Sequence, residues 1–169
     1  MAWWLEIPTE TAILVSTIIT IGLILNYYLK FLPAVENIER QSYGTIAYGL
    51  SVTILIAQFW SHNPAVVCVG VLVMAIGDGL AGLIGKHYQS FSWQLLGQNK
   101  SVAGTLTMFL GSTLILLMFT SINNIELYPL AILAIALLAT ALEQISPFGI
   151  DNITVPIGVS VFWNWMIAN

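Results

Sequence analysis

The 169-residue chain is 58% hydrophobic and 7% charged, with four Lys and Arg against eight Asp and Glu and a net charge of −4. Soluble domains carry about 25% charged residues, so this composition excludes an ordinary wetted globule and suits a bilayer. The acidic balance also excludes a nucleic-acid binder, because no basic stripe exists to meet phosphodiesters.

A helix crossing the roughly 30 Å hydrocarbon layer needs about 20 mostly apolar residues, and six runs meet or approach that length. Trp3 and Trp4 precede the first run and suit an interfacial anchor. Glu6 and Glu10, with no Lys or Arg beside them, argue against a cleaved leader. The first run covers 11–31 and is followed by a polar stretch over 36–42. The second covers about 44–60. The third covers 64 to about 85 and is interrupted near its end by Gly77-Asp78-Gly79. A polar loop, 86–100, separates it from the fourth run, 101–121. The fifth covers 127 to about 142 and the sixth 152–167. The second and sixth are short, so they begin in the preceding loop or sit where the bilayer thins. The expected fold is all-α, a polytopic bundle of about six transmembrane helices forming one domain over 1–169. Cys68 is the only cysteine and has no intramolecular disulfide partner.

Basic residues in short loops prefer the cytoplasm. Lys30 and Arg40 flank the first connection, and Lys86 and Lys100 flank the third. The two connections fall on one side, which places both ends of the chain on the other. The loop between the fifth and sixth spans then also faces the cytoplasm. It contains Glu143 and Asp151, neither of which entered the orientation. One face therefore collects Asp78, Lys86, His87, Asn99, Lys100, Ser101, Glu143, Asp151 and Asn152.

Asp78 lies inside a hydrophobic run, where an ionisable residue is costly and marks function by default. Gly77 and Gly79 beside it permit close backbone approach and expose amides to a ligand. The literal G-x-G-x-x-G of Gly77, Gly79 and Gly82 is no dinucleotide fingerprint, because no strand precedes it. Helix packing accounts for Gly82 and Gly85 about as well as function does. Ser101 is placed to cap the fourth helix, whose free amides favour an anion. Lys100 beside it reads either as a snorkelling side chain or as a phosphate holder. Glu143 and Asp151 read either as solvated loop charges or as site carboxylates, and Asp151-Asn152 is a candidate cap for the sixth helix. Carboxylates, a lysine and a helix start without thiols suit Mg²⁺ and a phosphoryl group in transfer. His62 falls on the opposite face, and His87 reads as a solvated loop residue.

Gly77-Asp78-Gly79-Leu80-Ala81 with Gly85, Asn99-Lys100-Ser101-Val102-Ala103-Gly104-Thr105, Ala139-Thr140-Ala141-Leu142-Glu143 and Asp151-Asn152-Ile153-Thr154-Val155-Pro156 stand in this order. Together, and with Arg40-Gln41-Ser42-Tyr43-Gly44-Thr45 ahead of them, they resemble the polyprenol kinase family over roughly 36–160. That family takes in phytol kinases, dolichol kinases and CTP-dependent diacylglycerol kinases. The last block looks closest to the cyanobacterial and plastid phytol-kinase branch. The resemblance implies transfer of the γ-phosphate of CTP, or of UTP, to a membrane lipid alcohol at the cytoplasmic face. It implies that Asp78 binds Mg²⁺, that Lys100 contacts phosphate, and that Asp151 or Glu143 completes the metal site or acts as base. Gly77, Gly79, Ser101 and Asn152 would join Lys100 around the nucleotide. Family members usually carry a further N-terminal part with an Arg-Lys and a His, and this chain opens at what resembles the family's second helix. The competing expectations are a cytidylyltransferase that leaves CMP on the lipid and, ranked lower, a non-catalytic transporter. A transporter needs a polar track through the membrane, whereas these polar residues gather at one end.

Overall fold

The computed structural model describes residues 7–29 and 43–168. Trp3, Trp4, Glu6, Lys30, Arg40 and the segment 36–42 named above lie outside the described residues.

Six helical rods make up the fold among the described residues. They are α1 (Thr9–Leu29), α2 (Gly44–Phe59), a composite third rod, α5 (Val102–Ile122), α6 (Pro129–Ile145) and α7 (Asp151–Ala168). The third rod is continuous from Pro64 to His87. It consists of α3 (Pro64–Leu72), a π-helical segment (Val73–Asp78) and α4 (Gly79–His87). The expected interruption at Gly77-Asp78-Gly79 is therefore a widened turn. A π turn absorbs an extra residue without ending the helix, and such turns recur at functional sites. Asp78 is its last residue.

Among the described residues three helices are long and apolar enough to cross a membrane: Thr9–Leu29, Pro64–His87 and Val102–Ile122. At 1.5 Å per residue, the 16 residues of α2 and the 17 of α6 reach only about 24–26 Å. Each helix starts where its sequence permits. Pro64 and Pro129 occupy first-turn positions, where the missing N–H costs nothing. Ser101 caps α5 by accepting from the Gly104 amide at 3.2 Å. Asp151 is the first residue of α7 rather than a loop charge. Glu143 likewise belongs to the last turn of α6 and not to the connection, which shrinks to 146–150.

The core is a wall of β-branched and large side chains from the third rod, α5, α6 and α7. Val66, Val69, Val73, Met108, Leu116, Ile135, Val155, Val159 and Trp163 are all within 0% exposure. At Gly70 the rod meets α7 backbone to backbone. A methyl there would fall 2.5 Å from Pro156 O and 2.1 Å from Ser160 Oγ, and the Ser160 hydroxyl donates to Val66 O at 2.9 Å.

The stretch expected as a plain polar loop, 86–100, contains a hairpin. Strands β1 (Ser92–Leu95) and β2 (Gln98–Ser101) pair antiparallel, with Trp93 opposite Lys100. Leu96 (φ 49°) and Gly97 (φ 77°) turn it. Two successive positive φ values make the two-residue turn whose twist matches the strands.

Candidate active site

The hairpin, α4, the head of α5, the tail of α6 and the head of α7 meet at one end of the bundle. They enclose a cleft of about 530 Å³. Asp78, Lys86, Asn99, Lys100, Ser101, Glu143 and Asp151 all line it. Seven of the nine residues that the sequence assigned to one face thus share one concavity. His87 and Asn152 stand outside its lining. Asn152 turns its side chain to Gly149 O at 3.3 Å and to Asp151 Oδ1 at 3.4 Å.

Asp78 reaches the cleft through helix geometry. Asp78, Ala81, Gly82 and Gly85 are spaced i, i+3, i+4 and i+7, one face of α4, and all four line the cleft. The glycines therefore divide differently from expectation. Gly77 is buried against α5, where a methyl would sit 3.0 Å from Met108 Sδ. Gly79 is exposed and stands outside the cleft lining. Neither offers its amide to the cleft, since the amides of a continuous helix are spent within it. Gly85 instead allows α4 to close on α5, because its Cβ would fall 2.9 Å from Ser101 Oγ and 3.4 Å from Gly104 Cα.

Lys100 is not a snorkelling side chain. It is 9% exposed, and its ammonium donates to the Glu143 carbonyl at 2.9 Å and forms an ion pair with Glu143 Oε1. Both of those partners belong to Glu143. An ammonium has three donors, so one remains for the cleft. Glu143 is occupied on its other oxygen as well. Gln144 Nε2 donates to Glu143 Oε2 at 2.7 Å and to Thr105 Oγ1 at 3.0 Å, and the Thr105 hydroxyl donates to Ser101 O at 2.9 Å. This chain ties the tail of α6 to the head of α5. Gln144, Thr105, Gly82 and Gly85 were not singled out from the sequence as ligand-facing residues, although all four line the cleft. The adjacency of Gln144 to Glu143 carries no periodic signal. The positions of Gly82 and Gly85 relative to Asp78 do.

The carboxylates thus fall into two kinds. Glu143 is bonded on both oxygens. Asp78 makes no hydrogen bond or ion pair among the described residues. The Asp151 carboxylate accepts from the Asn152 amide at 3.0 Å and from the Asn152 side chain, and forms no ion pair among the described residues. Three carboxylates against Lys86 and Lys100 leave the cleft with no excess of positive charge for a bare polyphosphate. A divalent cation between carboxylate and phosphate would correct that balance. Among the described residues no three of His, Cys, Asp and Glu stand together as a complete metal cage. This donor set fits Mg²⁺, which keeps waters and takes one or two carboxylates plus substrate phosphates.

The chain is 39% identical over 161 residues to the phytol kinase of Synechocystis sp., a match covering 94% of this chain and 69% of that protein. The chain belongs to the polyprenol kinase family. A probable chloroplastic phytol kinase 2 of Glycine max is 29% identical over 124 residues, 68% of this chain and 42% of its own length. The dolichol kinase of Saccharomyces cerevisiae is 29% identical over 119 residues, 68% of this chain and 21% of its own length. No family model matches, and no solved structure matches. Membership places the chain in an enzyme family, and the three long apolar helices among the described residues accord with a membrane protein bearing a charged cleft at one end.

Proposed function

We propose that the chain is a CTP-dependent, Mg²⁺-dependent kinase that phosphorylates a membrane lipid alcohol, phytol or another polyprenol, at the cytoplasmic face of a six-span bundle. The reading rests on one observation. A lysine with a donor to spare and two carboxylates that form no direct ion pair among the described residues line a single cleft where apolar helices meet polar connections.

In this reading the alcohol oxygen bonds to the γ-phosphorus as the bond to the β-phosphate bridging oxygen breaks. The nucleoside diphosphate leaves, and the hydroxyl proton passes to a cleft carboxylate. Asp78 and Asp151 are the two carboxylates open to that role and to a metal ion. When bound, Mg²⁺ supplies charge neutralisation at the phosphates. Lys100 meets a phosphate oxygen, and Glu143 is the residue that aims Lys100. Catalysis is then mostly positioning and fixed charge. The cytoplasmic assignment rests on Lys86 and Lys100 bordering the cleft and on Lys30 and Arg40 in the first connection.

The test is product analysis with purified protein, labelled CTP, Mg²⁺ and a panel of alcohols. Phytyl or polyprenyl monophosphate is expected, together with CDP. Pyrophosphate release with CMP on the lipid would instead mark a cytidylyltransferase, and no product from phytol, dolichol or diacylglycerol would end the kinase reading.

A further inference from the structure

We propose that a second recess, on the opposite face of α4 from the catalytic cleft, holds the part of the lipid alcohol's chain next to its hydroxyl. The proposal rests on the kinase reading above and names the substrate-binding surface of that site.

The recess has a volume of about 590 Å³ and is lined by Leu80, Leu83, Ile84, Lys86, His87 and Tyr88. Leu80, Leu83, Ile84 and His87 repeat the i, i+3, i+4, i+7 spacing two residues out of phase with the cleft-lining set. They therefore occupy the far side of the same helix. Leu83 is 68% exposed and Leu80 42%, and Ile76, one turn deeper, is 42% exposed. These side chains give an apolar strip running from the membrane face toward the bilayer interior.

The recess and the cleft share one lining residue, Lys86. That continuity commits the recess to the cleft's own substrate. At about 100° per residue, the path round α4 from Leu83 to Asp78 crosses Gly79, Lys86 and Gly82 in turn. A methyl on Gly79 or Gly82 would meet nothing within 4 Å. The flank between apolar strip and carboxylate is therefore bare backbone with one flexible side chain. A chain lying on Leu80 and Leu83 passes over the glycines with its hydroxyl at Asp78. An isoprenoid alcohol supplies both halves, an apolar body and a single polar end, and the names of the relatives point to that class.

Protein in lipid nanodiscs is assayed with phytol and with a short, water-soluble isoprenoid alcohol. Leu83→Trp and Leu80→Trp fill the recess. Each is expected to raise KM for both alcohols about tenfold and to leave KM for the nucleotide unchanged. Leu114→Trp, on the exposed side of α5, is the control and changes none of them. Gly79→Leu, at a position with room for the side chain, obstructs the flank and gives the same split. A phytol analogue bearing a diazirine near its hydroxyl labels residues 80–88. Unchanged phytol KM in both Trp variants, an equal change in Leu114→Trp, or labelling spread over other helices overturns the proposal. Should the unmodified protein turn over no alcohol, the kinase reading fails by itself. Confinement of the label to 80–88 then still supports the recess, and its dispersal rejects it.

Discussion

Lys100 is held in place by one residue, and that arrangement separates its structural role from its chemical one. Lys100→Met leaves Glu143 buried without its cation, and breaking a buried pair from one side costs about 3–5 kcal/mol. The expected outcome is a lower thermal midpoint together with lost turnover. Lys100→Met with Glu143→Gln removes both charges, so it should recover most of the midpoint and none of the activity. A melting series beside a rate assay reads this directly. Asp78→Asn is isosteric and breaks no contact among the described residues. It should leave melting intact and lower kcat by at least about 10²-fold, the scale of a lost proton acceptor. Gln144→Leu releases Glu143 Oε2 and leaves Lys100 less well aimed. Because hydrogen bonds to charged groups contribute about 1.5–3 kcal/mol, nucleotide KM should rise roughly tenfold with a smaller change in kcat. Asp78 was legible in the sequence because a carboxylate in an apolar run has few explanations. Gln144 was not, because its importance arises from contacts to Thr105 and Glu143 that only the α5–α6 packing creates.

The elements carry the site through their ends, and the short connections hold those ends together. Gly149 has φ +85°, and a Cβ on it would fall 2.6 Å from Gly44 Cα, so the 146–150 connection sits on the first residue of α2. Gly149→Val adds a left-handed penalty of about 1–2 kcal/mol to that overlap. It should lower the melting midpoint and displace the head of α7, with activity falling further than stability accounts for. Hydropathy located the helices closely because it measures what the bilayer selects. It ended the fifth run too early, since Glu143 and Gln144 are polar yet complete α6. It missed the hairpin because strand pairing over Ser92–Ser101 shows only in the Trp93 and Leu95 alternation and in Gly97, and Leu96 is an unusual partner for that turn. The π segment has no sequence signal of its own, because it arises from fitting two helix faces with one residue in excess.

At the scale of the whole molecule, the described connections at the cleft end bring residues 78 to 151 onto one rim. Asn99-Lys100-Ser101 and Asn152-Ile153-Thr154 both fit the glycosylation pattern. On the proposed orientation neither should carry glycan after expression in a eukaryotic host, and a mobility shift reversed by glycosidase would invert the topology. Charge placement alone made the common rim readable, but the division of labour within it was not. That division depends on which carboxylate meets Lys100, a matter of side-chain reach across α6 and β2. One contact far from the rim sets a further property. At Gly70 the third rod and α7 touch backbone to backbone, and these are the two elements that bear Asp78 and Asp151. The gap between the open carboxylates is therefore gauged about two turns deeper in the bundle, where the Pro156 carbonyl is backbone and cannot rotate away. Small and large divalent ions differ in the oxygen spacing they accept. Gly70→Ala, by wedging the two backbones apart, should shift the ratio of Mg²⁺-supported to Mn²⁺-supported turnover toward the larger ion while Asp78, Lys100 and Asp151 stay untouched. Ion selectivity in this protein would then be a property of helix spacing in the apolar interior rather than of the ligands themselves.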